Sequence, residues 1–194
     1  MNGATAHSRL ALTLLLLVCC PLLAKGQQSG GGEVSGAIGG HYKATRLAGG
    51  TRSMVGVKAV VIFAGGLEIG IVGIKLLEAV DISTGPGNLL ELRPGYGGVT
   101  IAKRGLLGSP IGGSLLIGAG NAEIRALPVG NQLGSDNFFV IEPEVTLSLP
   151  RWKVIRSSVG MGFRFVTGVD DLPTLSTSDL RGLTVTLTFA LGGP

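Results

Sequence analysis

The sequence predicts an all-β fold, an eight-stranded antiparallel up-and-down transmembrane β-barrel that follows an N-terminal signal peptide. Three observations lead there. Apolar residues recur with period two along most of the chain, and glycine, 34 of 194 residues, interrupts the apolar runs before they could sustain a helix. Charged residues make up only 14% of the chain, yet beyond Gly26 no apolar stretch approaches the ~20 residues of a membrane-spanning helix. Eight strand candidates can be counted, an even number that allows a small closed barrel.

The chain opens on a segment that stands apart from this fold. Arg9 is followed by an apolar run from Leu10 to Ala24, too short to span a bilayer comfortably and succeeded by small and polar residues. This is the layout of a secretory signal peptide over residues 1–26, with cleavage expected after Ala24 or Gly26. Cys19 and Cys20 both lie inside it, so a mature chain has no disulfide and no thiolate chemistry. The residues before them, Val18 and Cys19, are not the small residue expected at a lipidation site. Residues 27–33 read as a flexible, glycine-rich lead-in, and residues 34–194 as one barrel domain.

The eight strands are expected at Val34 to Leu47, Met54 to Ala64, Leu67 to Leu77, Leu89 to Ala102, Gly113 to Ala126, Phe138 to Leu149, Lys153 to Thr167 and Arg181 to Leu191. In the second, Val55, Val57, Ala59, Val61 and Phe63 form an apolar face opposite Lys58, and in the third Leu67, Ile69 and Ile71 oppose Glu68. The sixth sets Phe139, Ile141, Val145, Leu147 and Leu149 against Glu142, Glu144, Thr146 and Ser148. The seventh sets Ile155, Val159, Met161, Phe163 and Phe165 against Arg156, Ser158, Gly160, Gly162 and Arg164. The last alternates Leu183, Val185, Leu187 and Phe189 with threonines throughout. Strands with one apolar face and one small or charged face suit a wall between lipid and a narrow polar interior. Closure matters because a backbone group in lipid needs a partner, and a ring has no edge.

With the amino terminus on the periplasmic side, connection lengths support the same topology. The links at Gly65-Gly66 and Pro150-Arg151-Trp152 are short, whereas those near Val80 to Asn88, Leu127 to Asn137 and Gly168 to Leu180 are long and rich in Gly, Pro, Asp and Ser. Short periplasmic turns against longer external loops are the rule in such barrels. The links at Lys103 to Gly112 and Ala48 to Ser53 fit the rule less well.

The candidate site is a set of charges on the inward faces: Glu142, Glu144, Arg156 and Arg164, with Arg156 about one cross-strand step from Glu144, and with Glu68 and Lys58 extending the set. An unpaired charge in a narrow lumen is costly, so these groups are expected to form a structural ion-pair network that fixes strand register. No nucleophile and base stand at a recognisable spacing, so no catalytic residue is assigned. His41, beside Tyr42, is the one histidine beyond the leader and has no Ser or Asp whose placement completes a site. One histidine and scattered carboxylates do not make a metal centre, and no cofactor motif is present. The glycines of Gly95-Tyr96-Gly97-Gly98 and Gly118-Ala119-Gly120 lack the strand-loop-helix setting of a phosphate loop and read as strand curvature. A net charge of +4, scattered along the chain, is no nucleic-acid footprint.

The pattern Phe138-Phe139, Glu142-Pro143, Arg156 and Phe163-Arg164-Phe165 before Gly168 resembles a largely uncharacterised family of small secreted, outer-membrane-like β-barrel proteins of Bacteroidota and related bacteria. Tyr96-Gly97-Gly98, Ser178-Asp179-Leu180 and Gly182 are similar to the same family. The chain departs from it in carrying phenylalanines around Arg164 in place of tyrosines, and in ending without a terminal aromatic residue. The resemblance implies a barrel in the cell outer membrane and brings no activity with it. The expectation is a monomeric, non-enzymatic barrel with a side-chain-filled lumen, in contact with outer-membrane lipids and, through its external loops, with a surface partner. Two alternatives use related scaffolds: a lipid-modifying enzyme, which needs a polar cluster around His41 near one membrane interface, and a soluble periplasmic barrel, which turns Val185, Leu187 and Phe189 inward around an apolar ligand.

Overall fold

A computed structural model of the chain describes residues 34–83, 89–126, 132–152, 154–169 and 176–192. The expected signal peptide and lead-in, residues 1–33, lie outside the described residues. The strands are β1 (Ser35–Leu47), β2 (Gly50–Ile62), β3 (Leu67–Leu76), β4 (Val80–Ser83), β5 (Leu89–Lys103), β6 (Ile111–Ala126), β7 (Gln132–Ser148), β8 (Ile155–Thr167) and β9 (Gly182–Gly192), with one α-helical turn among the described residues, α1 (Thr177–Leu180). All pairings are antiparallel, and β9 returns to β1, with Leu187 opposite Tyr42, to close the ring. The short β4 is not a ninth stave. It continues the line of β3 along β5, where Lys75 faces Gly95 and, further on, Val80 faces Leu92. The closed barrel therefore has eight strands, each adjacent to its neighbour in sequence apart from the closing pair.

One end, the base, gathers the start of β1, the end of β9 and the links β2–β3, β5–β6 and β7–β8. At the opposite end, the crown, strands extend further than the sequence suggests. Much of the expected long link from Leu127 to Asn137 is strand, because β7 begins at Gln132, and residues 127–131 lie outside the described set. The link expected at Ala48 to Ser53 is a two-residue turn at Ala48 and Gly49, both with positive φ, the backbone that a tight hairpin following the right-handed strand twist requires. Part of the link expected at Val80 to Asn88 is β4.

Side chains sort by parity as the alternation requires. Ile69, Ile71, Val99, Ile101, Ile117, Phe139, Ile141, Val145, Val159, Met161, Phe165, Val185 and Phe189 are exposed on the outside, while Glu68, Thr100, Glu142, Arg164, Thr184 and Thr186 are buried inside. The soluble carrier is contradicted here, since Val185 and Phe189 point outward and the neighbouring threonines Thr184 and Thr186 are enclosed.

The interior is polar only in its lower half. Towards the crown, Leu47, Met54, Ile74, Leu92, Ile124, Phe138, Val140, Val166 and Leu180 pack into one buried apolar cluster. There both faces of a strand carry apolar residues, so parity still decides direction but no longer polarity. Gly120 makes room for this packing: a Cβ there would lie 2.4 Å from the Phe138 ring. Leu180 reaches the cluster from α1, whose first turn is tied by a capping box, Asp179 accepting hydrogen bonds from Ser176 N and Oγ at 2.8 Å each.

Candidate functional site

The lower lumen holds the charged groups, and their pairing is set by which strands face each other across the ring. Glu142 on β7 is met by Lys43 on β1, with Nζ 2.5 Å from Oε1, and Tyr96 on β5 donates its hydroxyl to Oε2 at 3.0 Å. Since β9 and β8 stand between β1 and β7, this pair crosses the barrel instead of bridging neighbours. Both side chains are nearly fully buried, at 4% and 2% exposure, so each is the other's main replacement for water.

A second centre lies nearer the base. Glu68 on β3 is ion-paired with Arg104, whose Nε lies 2.5 Å from one oxygen, and faces Lys58 Nζ at 3.7 Å on the other. Glu144 takes a third place, accepting a hydrogen bond from Thr186 Oγ1 at 2.6 Å across β8. Gly160 lies beneath that carboxylate, and a Cβ on it would fall 2.3 Å from Glu144 Oε1. His41 faces into the same space, with Nδ1 3.0 Å from Thr188 Oγ1 and Nε2 buried without a protein partner among the described residues.

Two of the six residues singled out from sequence stand elsewhere. Among the described residues Arg164 has no ion pair: its Nε donates to Leu180 O at 2.8 Å, its Nη2 reaches Arg46 O at 3.4 Å, and its guanidinium lies 5.7 Å from the centre of the Tyr96 ring. It joins α1 and β1 to the wall at the level where polar lumen gives way to apolar crown. Arg156 is not one step from Glu144. Glu144 faces Gly162 and Ser148 faces Ser158, so the hairpin register is shifted by four residues from that of a turn on Pro150-Arg151-Trp152 alone, and Arg156 drops to the base. The cause is the longer link, in which Leu149 N bonds Ser157 O and Trp152 pairs with Ile155.

Sequence reasoning missed Lys43, Tyr96 and Arg104. On β1 the outward positions around Lys43 are Gly40, Tyr42, Ala44 and Arg46, too mixed for the apolar face to be read. Tyr96 sits among glycines, and Arg104 follows the last residue of β5.

The space around these groups is small. A cavity of ≈ 60 Å³ is lined by His41, Lys43, Lys58, Glu68, Glu142 and Glu144 among others, and it shares Arg104, Ser148, Ser158, Thr188 and Ala190 with a second space of ≈ 220 Å³ at the base. Above the Lys43–Glu142 pair lies the apolar cluster. The polar part of the lumen is continuous with the space at the base. Among the described residues no three His, Cys, Asp or Glu side chains come together as a metal site.

The crown wears charge on its outer surface. Glu91 and Arg93 of β5 face Arg125 and Glu123 of β6 across the ladder, with ion pairs of 2.8 and 3.0 Å along each strand. The Arg93 guanidinium, hydrogen-bonded to Glu91, holds that carboxyl below its usual range.

An apolar girdle, charges enclosed within it and a closed antiparallel ring of eight strands define the outer-membrane class of β-barrel fold. Comparison with solved structures finds that class. The N-terminal β-barrel domain of Pseudomonas aeruginosa OprF is similar at a TM-score of 0.52 and 10% identity, over 84% of this chain and 100% of that one. Neisserial surface protein A is similar at 0.49 and 8% identity, over 84% and 99%. The attachment invasion locus protein Ail of Yersinia pestis, solved in complex with the heparin analogue sucrose octasulfate, is similar at 0.48 and 16% identity, over 84% and 100%. At these identities the likeness concerns the fold. No family model matches the chain, and no curated protein matches it.

Proposed function

We propose that this protein is a non-conducting barrel of the cell outer membrane, with a structural or surface-interaction role exercised through its crown. The observation that carries the reading is the height of the outward apolar girdle. On β5 the outward-facing charges that bound the girdle are Lys103 at the base and Arg93 at the crown, ten residues apart. At ~3.4 Å per residue and a tilt of ~40–45° this projects to roughly 25 Å, the thickness of the apolar band of such barrels. The crown, with its charged outer surface above a packed apolar core, is then the external end, and the base faces the periplasm.

The enzymatic alternative draws no support from His41. Its ring is turned into the lumen beside Thr188, away from the lipid face where a lipid substrate would lie. The apolar upper lumen and the Lys43–Glu142 pair below it favour a closed bore over a pore.

Membrane fractionation joined to gel migration with and without heating tests the proposal. The protein is expected in the outer-membrane fraction, retained after an alkaline wash, and folded barrel is expected to migrate differently from boiled chain. Release as a soluble protein without detergent would overturn it.

A further inference from the structure

We infer that the outer wall of the base carries a binding site for one anionic phospholipid of the periplasmic leaflet, with its headgroup at Lys103 and an acyl chain in a groove that climbs to Met161. This site rests on the outer-membrane reading above and names a ligand for one face of the barrel. The groove, of ≈ 400 Å³, lies on the outside of β5, β6, β7 and β8. Its line is fixed by register: Lys103 faces Gly113, Gly113 faces Val145 and Val145 faces Met161. Lys103 ends β5 at the base, Gly113 follows close on the start of β6, and Val145 and Met161 stand successively further from the lower ends of their strands. The row therefore rises from the rim to the middle of the girdle. Three strand spacings of ~4.8 Å make it roughly 14 Å long. Gly113 opens the groove, since a Cβ there would meet only Glu144 O, at 3.8 Å. Ile101, Leu115 and Pro143, one outward row nearer the crown, form its upper wall.

The charge at the lower end is unmatched. Lys103 Nζ donates to Gly65 O at 2.5 Å, a neutral acceptor that leaves the ammonium its full charge and two further N–H groups. Among the described residues no carboxylate stands on the outside of the base: Glu68, Glu142 and Glu144 are turned into the lumen, and the others belong to the crown. A lipid phosphodiester supplies the missing negative charge at the level where headgroups lie, and its acyl chain covers the apolar groove above. A zwitterionic headgroup presents the same phosphate with a cation of its own beside it, so its attraction to Lys103 is weaker.

Native mass spectrometry of the full chain, folded in a non-ionic detergent, tests this, with phosphatidylglycerol and phosphatidylcholine of identical acyl chains added in competition. One phosphatidylglycerol per barrel is expected, preferred about fivefold over phosphatidylcholine. Lys103→Gln is expected to abolish the preference and Lys103→Arg to keep it, while Lys75→Gln, which removes a cation from the outside of the crown, leaves it unchanged. Gly113→Leu fills the groove and is expected to lower the retention of both lipids. Heat-dependent gel migration checks the folding of each variant, and Lys103→Gln, at an exposed position, decides should Gly113→Leu fail to fold. A folded barrel that retains the two lipids equally, or whose preference survives Lys103→Gln or is lost as fully with Lys75→Gln, overturns the lipid site and leaves the outer-membrane reading standing. A chain that fractionates as a soluble protein overturns both.

Discussion

Glu142 is the residue on which the lower lumen depends, because its carboxylate is enclosed and its two partners come from strands on other parts of the ring. Removing one member of a buried pair leaves the other charge unmatched, which costs ~3–5 kcal/mol, whereas removing both together costs far less. Glu142→Leu is therefore expected to lower the urea midpoint of the folded barrel strongly, and Lys43→Met combined with Glu142→Leu to recover most of the loss. Equal losses in the single and double variants would mean that Lys43 has another partner. Gly160 gives a second prediction of the same kind. Gly160→Ala sets a methyl against Glu144 Oε1 and is expected to cost ~1–3 kcal/mol, a cost that Glu144→Ala in the same chain removes. At this scale the sequence was legible where alternation was clean, as at Glu68, Glu142 and Glu144, since an inward direction follows from strand parity alone. It was not legible where a partner depends on another part of the ring. Nothing in Arg164 or its neighbours says that it bonds the carbonyls of Leu180 and Arg46, and nothing near Lys43 says that it reaches Glu142.

Among the elements, α1 carries the most structure for its length. Its capping box orients Leu180 into the crown cluster, while its carbonyls receive Ala48 N, at Asp179 O, and Arg164, at Leu180 O. Asp179→Ala removes the acceptor that holds Ser176 N and Oγ, and is expected to cost ~1 kcal/mol. Faster hydrogen exchange at Thr177 to Leu180, and at Ala48 across the contact, is the measurement, with the lower strands unchanged. Protection equal to that of the parent chain would mean that the box does not hold the turn. The Ser176-x-x-Asp179 spacing was visible in the sequence, but a four-residue turn has no hydrophobic period and so could not be separated from loop. The staves themselves were legible in number and face. Their upper ends were not, because residues such as Gly134 to Asn137 carry loop-like composition and extend only through pairing with β6. The hairpin register at Arg156 failed for a related reason: strand parity survives a shift of four residues, so the faces read correctly while the level did not.

For the whole molecule the central claim is that the outward aliphatic girdle meets lipid. Met161 lies in the middle of that girdle, between Val145 and Val185 on the neighbouring strands, and is 64% exposed. Asn121 stands on the outer surface of the crown, above the girdle. In water, an arginine at an exposed position changes stability by about 0.5 kcal/mol or less, whereas at the midplane of a bilayer it costs ~2–4 kcal/mol on a barrel's lipid face. Orientation and depth are thus read by one substitution at two sites. The deciding measurement is reversible unfolding in phospholipid bilayers of the parent chain, Met161→Arg and Asn121→Arg. Met161→Arg is expected to lose ~2–4 kcal/mol and Asn121→Arg to stay within about 0.5 kcal/mol of the parent. An arginine at Met161 tolerated as well as one at Asn121 would contradict a lipid-facing girdle.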